Sequence, residues 1–331
     1  MGPDVLPPWA GWPGLVLRRL AMGLLAVWVA ASLGFVLVQA APGGPAVALL
    51  GEHAAAGQLE EVTRAYGLDR PLAQQYLEWL GRLARGDLGV SYRAQAPVAT
   101  LIAERAPVTL ALMLPALVLA SAAGIALGLV AADPRRRTRW VAGVLAGVHA
   151  VPSYAVAQVL VLVFALGLGW FPVQGLVDAH APGGGVANLL EMAWRLTLPV
   201  LALAVLQCAF VALLARARIA EELRQPYIAT ARAKGLSEGA VRRRHALANA
   251  APPLVTLIGW RFGAIVGGSV VIETLFALPG LGRLAVSSAL ARDIPTVAGI
   301  VVVACAVVVL VNTVVDLVAA VLDPRIARTA A

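Results

Sequence analysis

The sequence predicts an all-α polytopic membrane protein with six transmembrane helices, a helical extracytoplasmic loop and a helix projecting into the cytoplasm. Three observations carry this reading. Of 331 residues, 60% are hydrophobic and only 13% are charged, and the mean hydropathy is +0.83. Soluble domains carry roughly 25% charged residues, so half of the usual solvating charge is missing and a soluble globular enzyme is excluded. Several apolar runs reach the roughly 20 residues needed to cross a bilayer core. The basic residues, finally, are spread unequally over the intervening segments.

The first run, 20–39, follows Arg18 and Arg19. Its Gln39-Ala40-Ala41 end resembles a signal-peptide cleavage site, but a cleavable apolar region is usually 7–15 residues, so an uncleaved signal-anchor helix is expected. The remaining spans are 108–132, 141–168, 196–214, 255–277 and 297–322. Six spans put both termini on one side. With that side inside, sixteen Lys and Arg fall in inner segments (among them Arg135, Arg136, Arg137, Arg139, Arg325 and Arg328) and nine in outer ones, while Arg261 lies within the fifth span. Excess positive charge marks cytoplasmic loops. The chain therefore divides into a cytoplasmic N-terminus (1–19), a first span (20–39), an extracytoplasmic loop (40–107), a core (108–322) with a cytoplasmic loop at 215–251, and a cytoplasmic tail (323–331).

Two loops are long enough to fold. In the outer one, Asp69 is the expected N-cap, Pro71 falls in the first turn, and Leu72, Tyr76, Trp79, Leu80 and Leu83 recur at helical spacing until Gly86. A small amphipathic helix, lying on the membrane or packed against the spans, is expected. In the inner loop, a helical run through Ile219, Leu223, Tyr227 and Ala231 should stop at Gly235, a residue suited to a left-handed C-terminal position. Ser237 can then cap a second short helix through Arg244, ending before Pro252-Pro253. This loop carries eight basic residues.

Within the loop, Tyr227-Ile228-Ala229-Thr230-Ala231-Arg232-Ala233-Lys234-Gly235-Leu236-Ser237 resembles the cytoplasmic EAA loop of inner-membrane permease subunits of ABC importers for dipeptides, oligopeptides and nickel. The general form is Glu-Ala-Ala, three residues, then Gly. Ala229 and Thr230 take the Glu and first Ala places, Ala231 and Gly235 match, and of the downstream Ile-x-Leu-Pro only Leu247 survives. The resemblance extends in order through Gly86-Asp87-Leu88-Gly89, Glu104-Arg105-Ala106-Pro107, Val151-Pro152-Ser153, Gly169-Trp170-Phe171-Pro172, Glu273-Thr274-Leu275-Phe276, Pro279-Gly280-Leu281-Gly282, Asp293-Ile294-Pro295 and Asp323-Pro324-Arg325.

The resemblance implies a permease forming half of a pathway in a bacterial inner membrane. Its implied partners are a second homologous permease, two ATP-binding subunits and an extracytoplasmic substrate-binding protein. In that setting Tyr227, Ala229, Thr230, Ala231, Arg232, Lys234 and Gly235 form the coupling helix that docks on an ATPase, with small residues permitting close approach and Arg232 and Lys234 pairing with partner carboxylates. The reading of Arg242, Arg243 and Arg244 as orientation or lipid anchors stays open beside it.

The chain has no phosphate-binding G-x-x-x-x-G-K-[ST] loop, because its sole lysine, Lys234, sits between Ala233 and Gly235. ATP and Mg are therefore expected on partner subunits, with no cofactor on this chain and no nucleic-acid partner. The four histidines, His53, His149, His180 and His245, form no metal-ligand spacing, and no histidine follows Gly267-Gly268-Ser269 to act as a base. Cys208 and Cys305, both in apolar runs, are expected as free thiols.

Ionisable residues in spans are costly and point to function. Arg261, Glu273 and Asp316, with Asn312 one turn from Asp316, are candidates for pathway or interhelix polar contacts. Arg261 is expected to pair with a carboxylate or snorkel to the inner interface, and the two acids to be softened by water or headgroups at the ends of their spans. A stand-alone ion-coupled secondary transporter is the alternative function, although no carboxylate relay is visible.

Overall fold

The computed structural model describes residues 12–39, 47, 56–65, 68–133, 139–176 and 186–322. The cleavage-like Ala40-Ala41, His53, Arg135 to Arg137, His180 and the tail with Asp323-Pro324-Arg325 and Arg328 lie outside the described residues. Helices dominate, and the only β pairing among the described residues is an isolated bridge between Val90 and Pro97. In chain order the helices are α1 (Trp12–Gln39), α2 (Ala56–Ala65), α3 (Leu72–Ala84), α4 (Val98–Ala131), α5 (Arg139–Ala150), α6 (Ser153–Leu160), α7 (Val186–Glu222), α8 (Pro226–Ala233), α9 (Glu238–Ala240), α10 (Leu247–Trp260), α11 (Phe262–Leu275), α12 (Leu281–Leu290) and α13 (Ile294–Leu322). Wide π-type turns, Val161–Gly167 and Val241–Ala246, extend α6 and join α9 to α10.

Four helices are long and apolar enough to cross a membrane alone: Val16–Leu37, Val98–Ala131, Val186–Glu222 and Ile294–Val321. The expected third and fifth spans are not straight. The third bends by 100° between Trp140–Ala150 and Ser153–Gly167, and the fifth by 42° between Glu238–Trp260 and Phe262–Leu275, giving six spans if each bent pair counts as one. Pro152 explains the first break. It cannot donate to the ladder and sits extended (φ −62°, ψ 144°) as the N-cap of α6. By contrast, α10 continues through Pro252 and Pro253, where a stop was expected. Two missing donors are tolerated in a helix of an apolar segment whose neighbours supply packing.

The chain forms two compact units. One combines residues 1–19, 110–278 and 311–331; the other combines 20–109 and 279–310. In the first, α7 is the central helix, with α5, α6, α10 and α11 packed around it. Leu198, Ala202, Ala209, Ala212, Ala215 and Ile219 along α7 are almost wholly buried. The α4 helix approaches α7 through Gly124 and Gly128, where a Cβ on Gly128 would stand 2.6 Å from Ala215 Cβ and 2.7 Å from the Ala212 carbonyl oxygen. Small residues bring membrane helices this close when packing, not water exclusion, holds them. Cys208 and Cys305 are free thiols.

In the second unit the amphipathic helix packs against a span. Tyr76 and Ser32 hydroxyls lie 2.6 Å apart, Gln39 donates to Gln75 at 2.8 Å, and the Phe35 ring meets Tyr76 and Trp79 at 5.3 and 5.8 Å. Two details depart from expectation. Pro71, not Asp69, occupies the N-cap of α3, with no side-chain cap bond, because its fixed φ already suits helix entry. Leu72 is exposed rather than on the packing face. Beyond α3 the chain turns through Gly86 and Gly89 and is clamped to the segment before α13. Ser91 Oγ and Thr296 Oγ1 donate to Asp293 Oδ2 at 2.6 and 2.7 Å, and the Tyr92 amide donates to Asp293 Oδ1 at 2.9 Å. All three side chains, Ser91, Asp293 and Thr296, are buried.

Candidate functional site: the projecting helix and the charges within the spans

The segment between α7 and α10 is built in three steps. Pro226 ends the helical run that the apolar periodicity joined across it: α7 stops at Glu222, Gln225 turns extended (φ −71°, ψ 147°), and α8 starts afresh with Pro226 in its first turn. A proline fixes the residue before it away from helical angles. The α8 helix then ends at Ala233 with Lys234 as its C-cap, and Gly235 takes the left-handed conformation (φ +79°) expected of it. Ser237 Oγ accepts from the Ala240 amide at 3.4 Å and caps α9, also as expected.

The two faces of α8 differ. Ile228 (0% exposed) and Ala231 (5%) point inward, joining Ala215, Ile219, Val241, Ala246, Ala250 and Leu254 in one apolar cluster. Tyr227, Ala229, Thr230, Arg232, Ala233, Lys234 and Gly235 are exposed. Ala231 is therefore not part of a docking face: helical spacing puts it three residues from Ile228, on the side that holds α8 to its own chain. Only contacts in three dimensions reveal which side that is.

Arg232 also departs from expectation. Its guanidinium is already engaged within the chain, with Nε donating to Glu238 Oε1 at 2.7 Å and Nη2 to Oε2 at 3.2 Å. This two-pronged bond raises the Arg232 pKa above its ordinary value, and it bridges the Gly235 turn. The Tyr227 hydroxyl donates to Glu222 Oε2 at 2.6 Å. Its phenol pKa is raised, chiefly by burial, with the Glu222 carboxylate adding to the effect.

Of the three consecutive arginines, Arg242 has a structural partner, Asp133, at 2.8 Å. Arg216, Arg224, Arg232 and Arg242, with Asp133 and Glu238, line a cleft of about 590 Å³ beneath this segment. Replacing Glu238 by Gln removes one side of the clamp on Arg232. The expected outcome is faster tryptic cleavage after Arg232 in the inserted protein with the chain otherwise intact, because an exposed ion pair holds geometry more than it holds the fold.

The charges within the spans separate into an ion pair, a buried acid and an arginine with neutral partners. Asp316, 5% exposed, has its Oδ2 3.0 Å from Arg19 Nε, a charge contact in which the N–H is not aligned on that oxygen, and Asn312 Oδ1 is buried without a hydrogen-bond partner. The Asp316 contact joins α13 to α1. Glu273 is 0% exposed, so protein, not water or headgroups, surrounds both acids. Arg261 meets no carboxylate among the described residues. Its Nε and Nη2 donate to Gln207 Oε1, both at 3.2 Å, and its guanidinium carbon lies 4.1 Å from the centre of the Phe210 ring. Neither Gln207 nor Phe210 was singled out by the sequence. An uncharged residue four or fewer positions from a free thiol on a wholly apolar run gives no signal of its own.

The chain is thus a many-helix membrane protein with a short helix held on one side by an apolar root and charges distributed among broken spans. Two family models match accordingly. One is the binding-protein-dependent transport system inner membrane component, over residues 124–328, and the other the N-terminal region of the same membrane components, over residues 14–113. The chain belongs to this family of ABC importer permeases and is an inner-membrane protein. It is 39% identical over 316 residues to a peptide transport system permease protein of Brucella abortus, covering 94% of this chain and 98% of the relative. It is 35% identical over 314 residues to the oligopeptide transport system permease protein AppB of Bacillus subtilis, with the same coverage. A Brucella ovis peptide permease protein is 39% identical over 319 residues, covering 95% and 98%. The family excludes the stand-alone secondary transporter as the better reading.

Proposed function

We propose that this permease forms half of an inner-membrane pathway for peptides, pairing with a second homologous permease above two ATP-binding subunits and receiving cargo from an extracytoplasmic binding protein. The names of its relatives favour peptides over nickel or a metal chelate. ATP and Mg act on the partner subunits, since the only lysine of this chain, Lys234, lies outside any phosphate-binding sequence. Both termini and the α8 segment face the cytoplasm, on the strength of the arginine distribution.

One observation carries the coupling role. The α8 helix is anchored by Ile228 and Ala231 while Tyr227, Ala229, Thr230, Ala233 and Lys234 stay exposed. A helix rooted on one face transmits a push received on the other, because its apolar cluster cannot deform continuously. Tyr227, Ala229, Thr230, Lys234 and the Gly235 end are the docking face, and Ala231 and Arg232 are the residues that hold that face in place. Thr230→Cys, in a chain lacking Cys208 and Cys305, should crosslink to a cysteine in the ATPase cleft within the assembled importer. Gly235→Pro should abolish uptake with insertion preserved. Absence of any Thr230 crosslink to the ATPase in an importer that still transports would remove the docking role.

A further inference from the structure

Arg261 is the one basic side chain along the fifth span, it is half-buried, and its setting is unusual. Its guanidinium turns onto α7 rather than along its own helix. Its polar contact is the neutral carbonyl oxygen of Gln207, itself 8% exposed, and its flat face rests on Phe210. No carboxylate pairs with it among the described residues. A guanidinium carries five donors, and Gln207 occupies two of them.

The surroundings are broken helix. Arg261 is the residue between α10 and α11, at the 42° bend. His149, whose ring lies 5.7 Å from the same Phe210 ring, closes α5 just before the 100° bend at Pro152. Two interrupted spans thus flank one face of α7 at Gln207 and Phe210. Interrupted helices at membrane depth persist where they line a cavity or are buried in protein, and in transporters they mark the binding site. About one and two turns beyond Arg261, Ala264 and Gly267 are exposed, and nothing lies within 4 Å of where a Gly267 Cβ would be.

We propose that Arg261, oriented by Gln207 and Phe210, is a way-station for the carboxylate of passing cargo, which on the peptide reading above is the peptide C-terminus. The arginine keeps its charge uncompensated in the empty pathway and is neutralised in passing. Gln207 and Phe210 act as positioning residues: a neutral acceptor and a ring fix the guanidinium plane without cancelling its charge.

The test uses the assembled importer with its binding protein in proteoliposomes, and compares trialanine with trialanine amide. In the unsubstituted complex the acid is carried. Arg261→Gln should lower uptake of the acid about tenfold, the effect of losing one charge-assisted hydrogen bond, and leave the amide unchanged, with Arg261→Lys intermediate. Equal loss for both peptides makes Arg261 a packing residue and overturns the proposal.

A second arm is independent of cargo identity. In a chain lacking Cys208 and Cys305, Ala264→Cys should react faster with the anionic sulfonatoethyl thiosulfonate than with the cationic trimethylammonium reagent, and Arg261→Gln should abolish that preference. A cysteine at 264 inert to both reagents overturns the proposal. Failure of the peptide reading shows separately, as no uptake of either peptide by the unsubstituted complex, while the thiosulfonate preference still decides the role of Arg261.

Discussion

Ala231→Asp should abolish uptake while the spans still insert. Ala231 is 5% exposed among Ile219, Ile228, Val241, Ala246 and Leu254, and none of these offers a hydrogen bond to a carboxylate. An unpaired buried charge costs several kcal/mol after relaxation, which the local structure escapes only by lifting α8 off its seat. The expected readout is tryptic cleavage after Arg232 and Lys234 at least as fast as in Glu238→Gln, with the same amount of protein in the membrane. Ala231→Gly is the companion variant: it removes a methyl without adding charge and should keep most of the activity. If Ala231→Asp retains uptake, the apolar seating of α8 does not carry the transport step. The same substitution at the exposed neighbour Ala229 should leave α8 seated and act, if at all, only through the ATPase contact.

The second large effect is expected at Asp293, outside the projecting helix. Its carboxylate takes bonds from Ser91 Oγ, Thr296 Oγ1 and the Tyr92 amide, in a setting that is 2% exposed. Asp293→Ala leaves three donors facing a void, and each buried unsatisfied group costs about 1–3 kcal/mol. The Ser91 hydroxyl also accepts from the Ala94 amide at 2.9 Å, so the turn from Ser91 to Gln95 loses its anchor as a whole. The expected result is rapid hydrogen exchange over residues 87–97 and cleavage after Arg93, together with a lower thermal midpoint. Asp293→Asn keeps one acceptor oxygen and should lose less than half as much. Unchanged exchange in Asp293→Ala would show that the Gly86–Val98 turns hold by backbone bonds alone.

These two sites show how unevenly the chain discloses itself. The Tyr227–Gly235 stretch was legible at its end because the signals there are local: a glycine stop with φ +79° and, just beyond it, a serine cap three residues before the amide it accepts from. Its break from α7 was missed because the apolar spacing through Ile219, Leu223, Tyr227 and Ala231 stays in phase across a chain that is no longer helical. Asp293 was visible as part of a short motif before the last span, but its partner Ser91 is 202 residues away, and no spacing rule reaches that far.

Composition and hydrophobic run length alone determined that this chain lives in a membrane and roughly where it crosses, because partition into a bilayer depends on the summed apolarity of about 20 neighbours. Tertiary structure decided the rest. It settled that Ala231 is root and not face, that Arg232 is held by Glu238, that Asp316 meets Arg19, and that Arg261 lies against Gln207 and Phe210 beside two broken spans. The physical reason is common to all four. A side chain's free energy depends on which atoms surround it, and in helices those atoms come from other turns of the chain, tens or hundreds of residues away.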